Sequence, residues 1–294
     1  MNVHIVTVVR NPSNFDTWIY YHGVHQSCIL HIYYHKEQIE DQGFRSVEAL
    51  CFRMKLKFSS LRYILREYTN NASEGPFLAN QGRQVECVNH AIKYVSDDLT
   101  FRNQINWMFH IDDDELIYAF SSSIYRVIEN IQINSHVGNY YIQNWEARSS
   151  DINQKNIFDT QYFETDTSKF LLYQNGKSLA YVEDDLKLLG PHCFHKNTFI
   201  CEPVNHQFNV INELRILHYN CTTYDKWREK YTQYASKKRT SSIFTFDIVS
   251  DELHRLPKLP YIDELLRAYY YSKLIVNRGS SIVDLSAFRN LIMI

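Results

Sequence analysis

Glycine, paired cysteine and charge imbalance are all scarce in this 294-residue sequence. Only eight glycines occur, and they form no loop of the kind that cradles phosphate groups in phosphoryl and nucleotidyl transferases. Lysine plus arginine (31) nearly matches aspartate plus glutamate (33), giving a formal net charge of −2 and a pI near 6.7. That balance leaves no electrostatic footprint for nucleic acid or an anionic membrane, so any phosphate the chain binds must be held locally. The six cysteines (Cys28, Cys51, Cys87, Cys193, Cys201 and Cys221) include no C-x-x-C pair. Their scatter argues against a zinc knuckle or a dense disulfide framework and predicts mostly buried free thiols. No apolar run reaches the roughly 18 residues of a spanning helix, and residues 1–10 lack the segments of a secretory leader. The expectation is a soluble, cytoplasmic protein.

What is present is core-forming material: 45% of residues are hydrophobic and 15% aromatic, enough for a large α/β domain. Residues 3–9 are a β-branched run ending in the turn cluster Arg10-Asn11-Pro12-Ser13. Residues 15–26 carry apolar side chains at helical spacing, and residues 28–34 return to a strand pattern, so the chain opens β-α-β. Residues 43–53 read as a helix, 54–58 as a possible third strand, and 81–95 as a helix with Val85, Val88, Ile92 and Val95 on one face. Residues 107–111 form a compact strand candidate. Such alternation favours a mainly parallel sheet flanked by helices, with ligands at the carboxyl ends of the strands. Farther on, residues 138–145, 170–173 and 214–219 read as strands and 224–234 as a helix. Residues 237–242 mark the best boundary, dividing a main domain (1–236) from a helical extension (237–294). In that extension, Ile262, Leu265, Leu266, Tyr269, Lys273 and Val276 form a stripe suited to docking or self-association.

The strand at 107–111 stops at Asp112-Asp113-Asp114-Glu115. In an extended segment, carboxylates one residue apart point the same way, so Asp112 and Asp114 can meet one hard divalent cation. The same run also suits a solvated loop or the acidic first turn of a helix. The stretch W-M-F-H-I-D-D-D-E-L (107–116) resembles the W-x-x-x-[ILV]-D-x-D-E-[FL] signature of family 2-like and family 92 glycosyltransferases. Further segments agree in order. Val8-Val9-Arg10-Asn11, then Trp18 and His22, is similar to that family's opening strand, R-N-E turn and following helix. Arg83-Gln84 resembles its R-Q, Asn175-Gly176-Lys177-Ser178 its G-K-[SY]-I, and Gly190-Pro191-His192 its G-x-H. Leu217-His218-Tyr219, followed by Tyr224, Trp227 and Lys230, resembles its L-x-H-Y and subsequent helix. Pro12 and Thr222-Thr223 depart from the pattern.

The resemblance implies a GT-A-like (Rossmann-like) α/β fold and a metal-dependent glycosyltransferase. Such an enzyme moves a sugar from a UDP- or GDP-linked donor to a hydroxyl acceptor on a glycan, protein-linked glycan or lipid-linked acceptor. Asp112 and Asp114 would hold Mn²⁺ (or Mg²⁺), which stabilises charge on the departing diphosphate. His218 and His192 compete as a third ligand, since neutral imidazole joins carboxylates on Mn²⁺; His218 also suits a core histidine. Arg10, Arg83, Gln84 and Asp112 are candidates for donor contact. In an inverting reaction a carboxylate must take the acceptor's proton, and Asp185 and Glu202 are the candidates, with Glu183 and Asp184 nearby. Tyr140, Tyr141 and Trp145 offer an apolar wall for a sugar ring. The rival readings are a non-catalytic sugar- or nucleotide-binding protein and a D-x-D metal-dependent nucleotidyl or phosphoryl transferase.

Overall fold

The computed structural model describes residues 1–36, 42–69, 76–120, 123–131, 139–149, 151–172, 174–195, 210–236, 245–256, 261–275 and 281–292. Chain contacts divide it into two compact units, Met1–Gln143 with Asn175–Ile216, and Asn144–Gln174 with Leu217–Ile294. The division does not fall at residue 236, and the anticipated linker at 237–242 lies outside the described residues.

In chain order the elements are β1 (Asn2–Val9), α1 (Phe15–Ile19), β2 (Ile29–His35), α2 (Gly43–Lys57), β3 (Arg62–Tyr68), α3 (Pro76–Asp97), β4 (Asn106–His110) and β5 (Glu115–Ala119). There follow α4 (Ile124–Glu129), β6 (Tyr140–Ile142), β7 (Asn144–Arg148), β8 (Tyr162–Glu164), β9 (Lys177–Tyr181), β10 (Lys187–Gly190), β11 (Cys193–His195) and β12 (Leu214–His218). The chain closes with α5 (Tyr224–Ser236), α6 (Thr245–Arg255), α7 (Ile262–Leu274), β13 (Ile282–Asp284) and α8 (Ser286–Ile292).

The first unit holds a six-stranded sheet in the order β3-β2-β1-β4-β9-β6. The first four strands are parallel and β9 runs against both its neighbours. Because β2 and β3 lie on one side of β1 and β4 on the other, the strand order reverses between β1 and β4. That is the place where open α/β sheets leave a crevice at the strands' carboxyl ends. Cys87, Val88, Ala91, Ile92 and Val95 make the buried stripe of α3, packed with Val6, Met108, Ala180, Leu188 and Phe194. The expected strand at 54–58 is instead the end of α2: Val47, Cys51 and Met54 continue one buried helical face, and the third strand is β3. A π-helical turn, Tyr20–His25, continues α1.

The second unit pairs β8 antiparallel with both β7 and β13. Its helices α5, α6 and α7 share one largely aromatic cluster that includes Tyr224, Trp227, Tyr231, Phe246, Leu266, Tyr270 and Leu274. The helical C-terminal part is therefore as expected, although the buried face of α7 is Leu266, Tyr270 and Leu274 while Leu265 is exposed. Val276 lies outside the described residues. Of the strand expected at 170–173, residues 170–172 do not form one, because Leu171 and Leu172 direct their N–H groups to the buried Glu146 carboxylate at 2.9 and 3.0 Å; residue 173 lies outside the described residues. Cys28, Cys51, Cys87 and Cys221 are buried free thiols and Cys193 is a half-buried one; Cys201 lies outside the described residues. Among the described residues, no helix is long and apolar enough to cross a membrane.

The sheet of the first unit carries a buried histidine pair. His4 Nδ1 lies 3.0 Å from His31 Nε2, and His4 Nε2 lies 3.2 Å from Asn106 Oδ1. Burial lowers His4 from 6.5 to about 4 and holds His31 well below its ordinary value. As pH falls, the unfolded chain takes up these protons first, so stability is full above pH 6.5 and is lost as pH drops towards about 4. At pH 5 one such histidine costs about 2 kcal/mol. The protein should therefore melt clearly lower at pH 5 than at pH 7 in matched salt. Equal melting temperatures would show that these histidines do not stay neutral in the fold.

Candidate active site

β4 delivers the acidic run to the carboxyl edge of the sheet, beside the end of β1. Ile111 N still donates to Val6 O (3.1 Å), but the backbone then turns. Glu115 N donates to Asp112 O at 3.2 Å, and β5 begins at Glu115. The segment 112–115 is thus a tight turn, not the extended run on which the alternation of Asp112 and Asp114 was argued. Asp112, Asp113 and Asp114 are half-buried, whereas Glu115 is fully buried.

Residues far apart in sequence converge on Asp112. Gln84 Nε2 donates to Asp112 Oδ1 at 2.7 Å, and Lys177 Nζ donates to Oδ2 at 2.7 Å. Trp18 Nε1 donates to the Asp112 carbonyl at 3.2 Å. Glu115 Oε2 accepts from Asp112 N at 2.8 Å and lies 3.2 Å from Lys177 Nζ. Lys177 is completely buried at the start of β9, while the Asp112 side chain keeps 32% of its exposure. Burial acts against the charge on Lys177, but the carboxylates of Asp112 and Glu115 outweigh it and raise the ammonium above the usual lysine range. Burial likewise pushes Asp112 up, and Lys177 with His110 reverses this, holding the carboxyl well below its usual range.

Two imidazoles complete the surroundings. His110 Nδ1 donates to Pro191 O at 3.0 Å and His192 Nδ1 to Gly176 O at 2.9 Å. Burial, reinforced by Lys177, lowers His110 to about 4 and His192 to about 3, so both rings are neutral near pH 7. Gly176 is required here. A side chain at this position would place its Cβ 1.8 Å from Ile142 O, which fixes the chain just before Lys177.

Several anticipated residues are therefore gathered in one place: Asp112, Gln84, Trp18 and His192. Arg10 is exposed directly after β1, in a loop where Asn11 and Asn14 adopt left-handed backbone conformations, and Arg83 is half-buried on α3 beside Gln84. His218 is buried at the end of β12 and belongs to the second unit, as does Trp145. Tyr140 is buried against Trp107, and Tyr141 Oη accepts from Gly176 N at 3.0 Å, so both serve packing and the Gly176 turn.

Asp185 is not brought to Asp112. β9 runs antiparallel to β4, and Val182 N bonds Asn106 O (2.9 Å) at the amino end of β4. Glu183, Asp184 and Asp185 follow in the turn before β10, so they lie at the opposite edge of the sheet from Asp112. The five residues of β4 separate the two edges by about 16 Å. Asp184 there lines an open cleft of 770 Å³ together with Asn89, Lys93, Asp97 and Arg102, on the C-terminal half of α3. Glu202 lies outside the described residues. Lys177, Glu115 and His110 were quoted in the sequence without a role. A lysine opening an otherwise apolar strand, and a glutamate closing a triple aspartate, are the signals that could have marked them.

Among the described residues, no group of three or more His, Cys, Asp or Glu side chains could hold a metal ion. That arrangement still fits an ion bound with a nucleotide, because such ions take one or two carboxylates and complete their shell with phosphate oxygens and water. The half-buried Asp114 beside the fixed Asp112 has the donor chemistry for this.

No family model matches the sequence, and no curated protein matches it. Among solved structures, the crystal structure of S. aureus TarS is similar over 92% of this chain and 44% of that chain, with 10% identity and a TM-score of 0.34. This chain thus spans less than half the length of TarS, and so loose a likeness bears on neither activity nor site.

Proposed function

We propose that the chain is a metal-dependent glycosyltransferase that takes its sugar from a UDP- or GDP-linked donor and passes it to a hydroxyl acceptor. The observation that carries this reading is the convergence of Trp18, Gln84, Lys177 and His192 around Asp112, at the strand-order reversal between β1 and β4. These residues come from four of the sequence segments that resemble the glycosyltransferase pattern, spread over more than half the chain. Their meeting at one turn gives the resemblance a physical meaning.

In this proposal Asp114 would hold Mn²⁺ or Mg²⁺, and Asp112 is held in place by Lys177 and Gln84. When bound, the ion would supply Lewis-acid stabilisation of charge on the departing diphosphate. Arg10, after β1, and Arg83, at the Gln84 turn of α3, supply cations for the diphosphate or the base. His192, of the same unit as Asp112, would add a neutral imidazole. For an inverting transfer the proton of the acceptor hydroxyl goes to a carboxylate, for which Glu202 is the candidate now that Asp185 is placed at the far edge.

The test is a thermal-shift panel of UDP- and GDP-sugars in Mn²⁺ and in EDTA. A donor at one hundred times its dissociation constant stabilises the native state by about 2.7 kcal/mol, so it should raise the melting temperature in Mn²⁺ and much less in EDTA. Equal shifts in both conditions, or no shift with any nucleotide, would remove the metal-bridged donor. Release of nucleotide during incubation with donor and Mn²⁺ separates an enzyme from a binding protein.

A further inference from the structure

The Lys177 ammonium, beside this turn, is wholly removed from solvent while touching two carboxylates. It reaches Asp112 Oδ2 at 2.7 Å and Glu115 Oε2 at 3.2 Å, with no exposure of its own. Three features fix it there. The close approach of Gly176 to Ile142 sets the start of β9, the pairing of Phe109 with Leu179 sets the strand's register on β4, and Glu115 is itself anchored to Asp112 N. A fully buried lysine is costly unless it is paired, so its place beside Asp112 must be maintained by the fold.

We infer that Lys177 is a positioning residue, the resident cation of the acidic turn, occupying on Asp112 the coordination place that a divalent ion would otherwise take. Two carboxylates and one ammonium leave the trio with a single negative charge. The turn therefore attracts a divalent ion weakly by itself, and the ion arrives mainly with the diphosphate, whose oxygens make up the missing ligands. This deepens the reading given under Proposed function and rests on it for the nucleotide, but the effect of Lys177 on free metal can be measured without any nucleotide.

The experiment is calorimetric titration of MnCl₂ into the full chain, alone and with UDP, for the wild type, Lys177→Met and the double variant Glu115→Gln/Lys177→Met. The double variant keeps the trio's charge at one negative, so it guards against misfolding from two uncompensated buried carboxylates. Vacating Asp112 should tighten binding of Mn²⁺ alone by about tenfold in Lys177→Met and by about fivefold in the double variant, because affinity for hard cations follows the number of available charged ligands. Mn²⁺ should also raise the melting temperature of both variants more than that of the wild type. If neither variant binds Mn²⁺ more tightly than the wild type, Lys177 is not the resident cation. A wild type that binds no Mn²⁺ even with UDP removes the metal from the proposed function, while a gain of Mn²⁺ binding in the variants would still establish what Lys177 occupies.

Discussion

Replacing Asp114 by alanine is expected to abolish Mn²⁺-dependent nucleotide binding and to lower turnover by about 10²–10³-fold, the usual size of losing one electrostatic contact to a developing charge. Gln84 and Lys177 hold the two oxygens of Asp112, and in the proposed function the direct contact to the ion is given to Asp114. The two aspartates should then fail in different ways. Asp112→Ala strips a partner from the buried Lys177 and should lower the melting temperature as well as binding, whereas Asp114→Ala should act chiefly on binding. Asp113→Ala should keep most of its activity. Including His192→Ala in the same calorimetric series shows whether its imidazole contributes. Metal-dependent UDP binding by Asp114→Ala at wild-type strength would sink the site.

A second large effect is expected far from any ligand. The Glu146 side chain is 1% exposed and Arg148 8%. Glu146 pairs with Arg148 and accepts the N–H groups of Leu171 and Leu172, while Arg148 Nη2 donates to Lys169 O at 2.8 Å. Glu146→Ala removes the common acceptor and strands a buried guanidinium, at a cost of about 3–5 kcal/mol. Glu146→Gln, which retains an acceptor for the backbone, should cost less. Urea unfolding followed by tryptophan fluorescence will report it through Trp227, buried in the same unit. A loss below about 1 kcal/mol for the alanine variant would mean that water replaces the carboxylate, since an unsatisfied buried donor alone costs that much.

The elements most legible in the sequence were those whose pattern depends on local chemistry. The β-branched run of β1, the helical stripe of α3 and the Tyr224-to-Tyr231 face of α5 all declare their period. The end of α2 was misread because Met54, Leu56 and Phe58 alternate with lysines at the period of a strand, and only the burial of Met54 on the same helical face as Val47 and Cys51 decides for the helix. Residues 170–172 were misread because their partner is a carboxylate 25 residues earlier, which no local pattern records. At the site, Asp112 was singled out by its spacing from Asp114 at the end of a strand and Gln84 by the resemblance, while the crevice was expected from the alternation of strands and helices. Lys177 was overlooked because a lysine is ordinarily a surface residue. Asp185 was misplaced because the direction of β9 cannot be read from its composition.

That reversed direction of β9 separates the two loops it joins. Its first residue, Lys177, grips the acidic turn, while the turn after its last residue, Tyr181, lies across the full height of the sheet. Insertions between Asp184 and Asp185 would lengthen an edge away from the Asp112 cluster, whereas a change at Gly176 would disturb the close approach to Ile142 O that immediately precedes the ammonium. The strand thus leaves one of its loops open to an epitope or fluorophore, while the other is tied to the packing of Gly176.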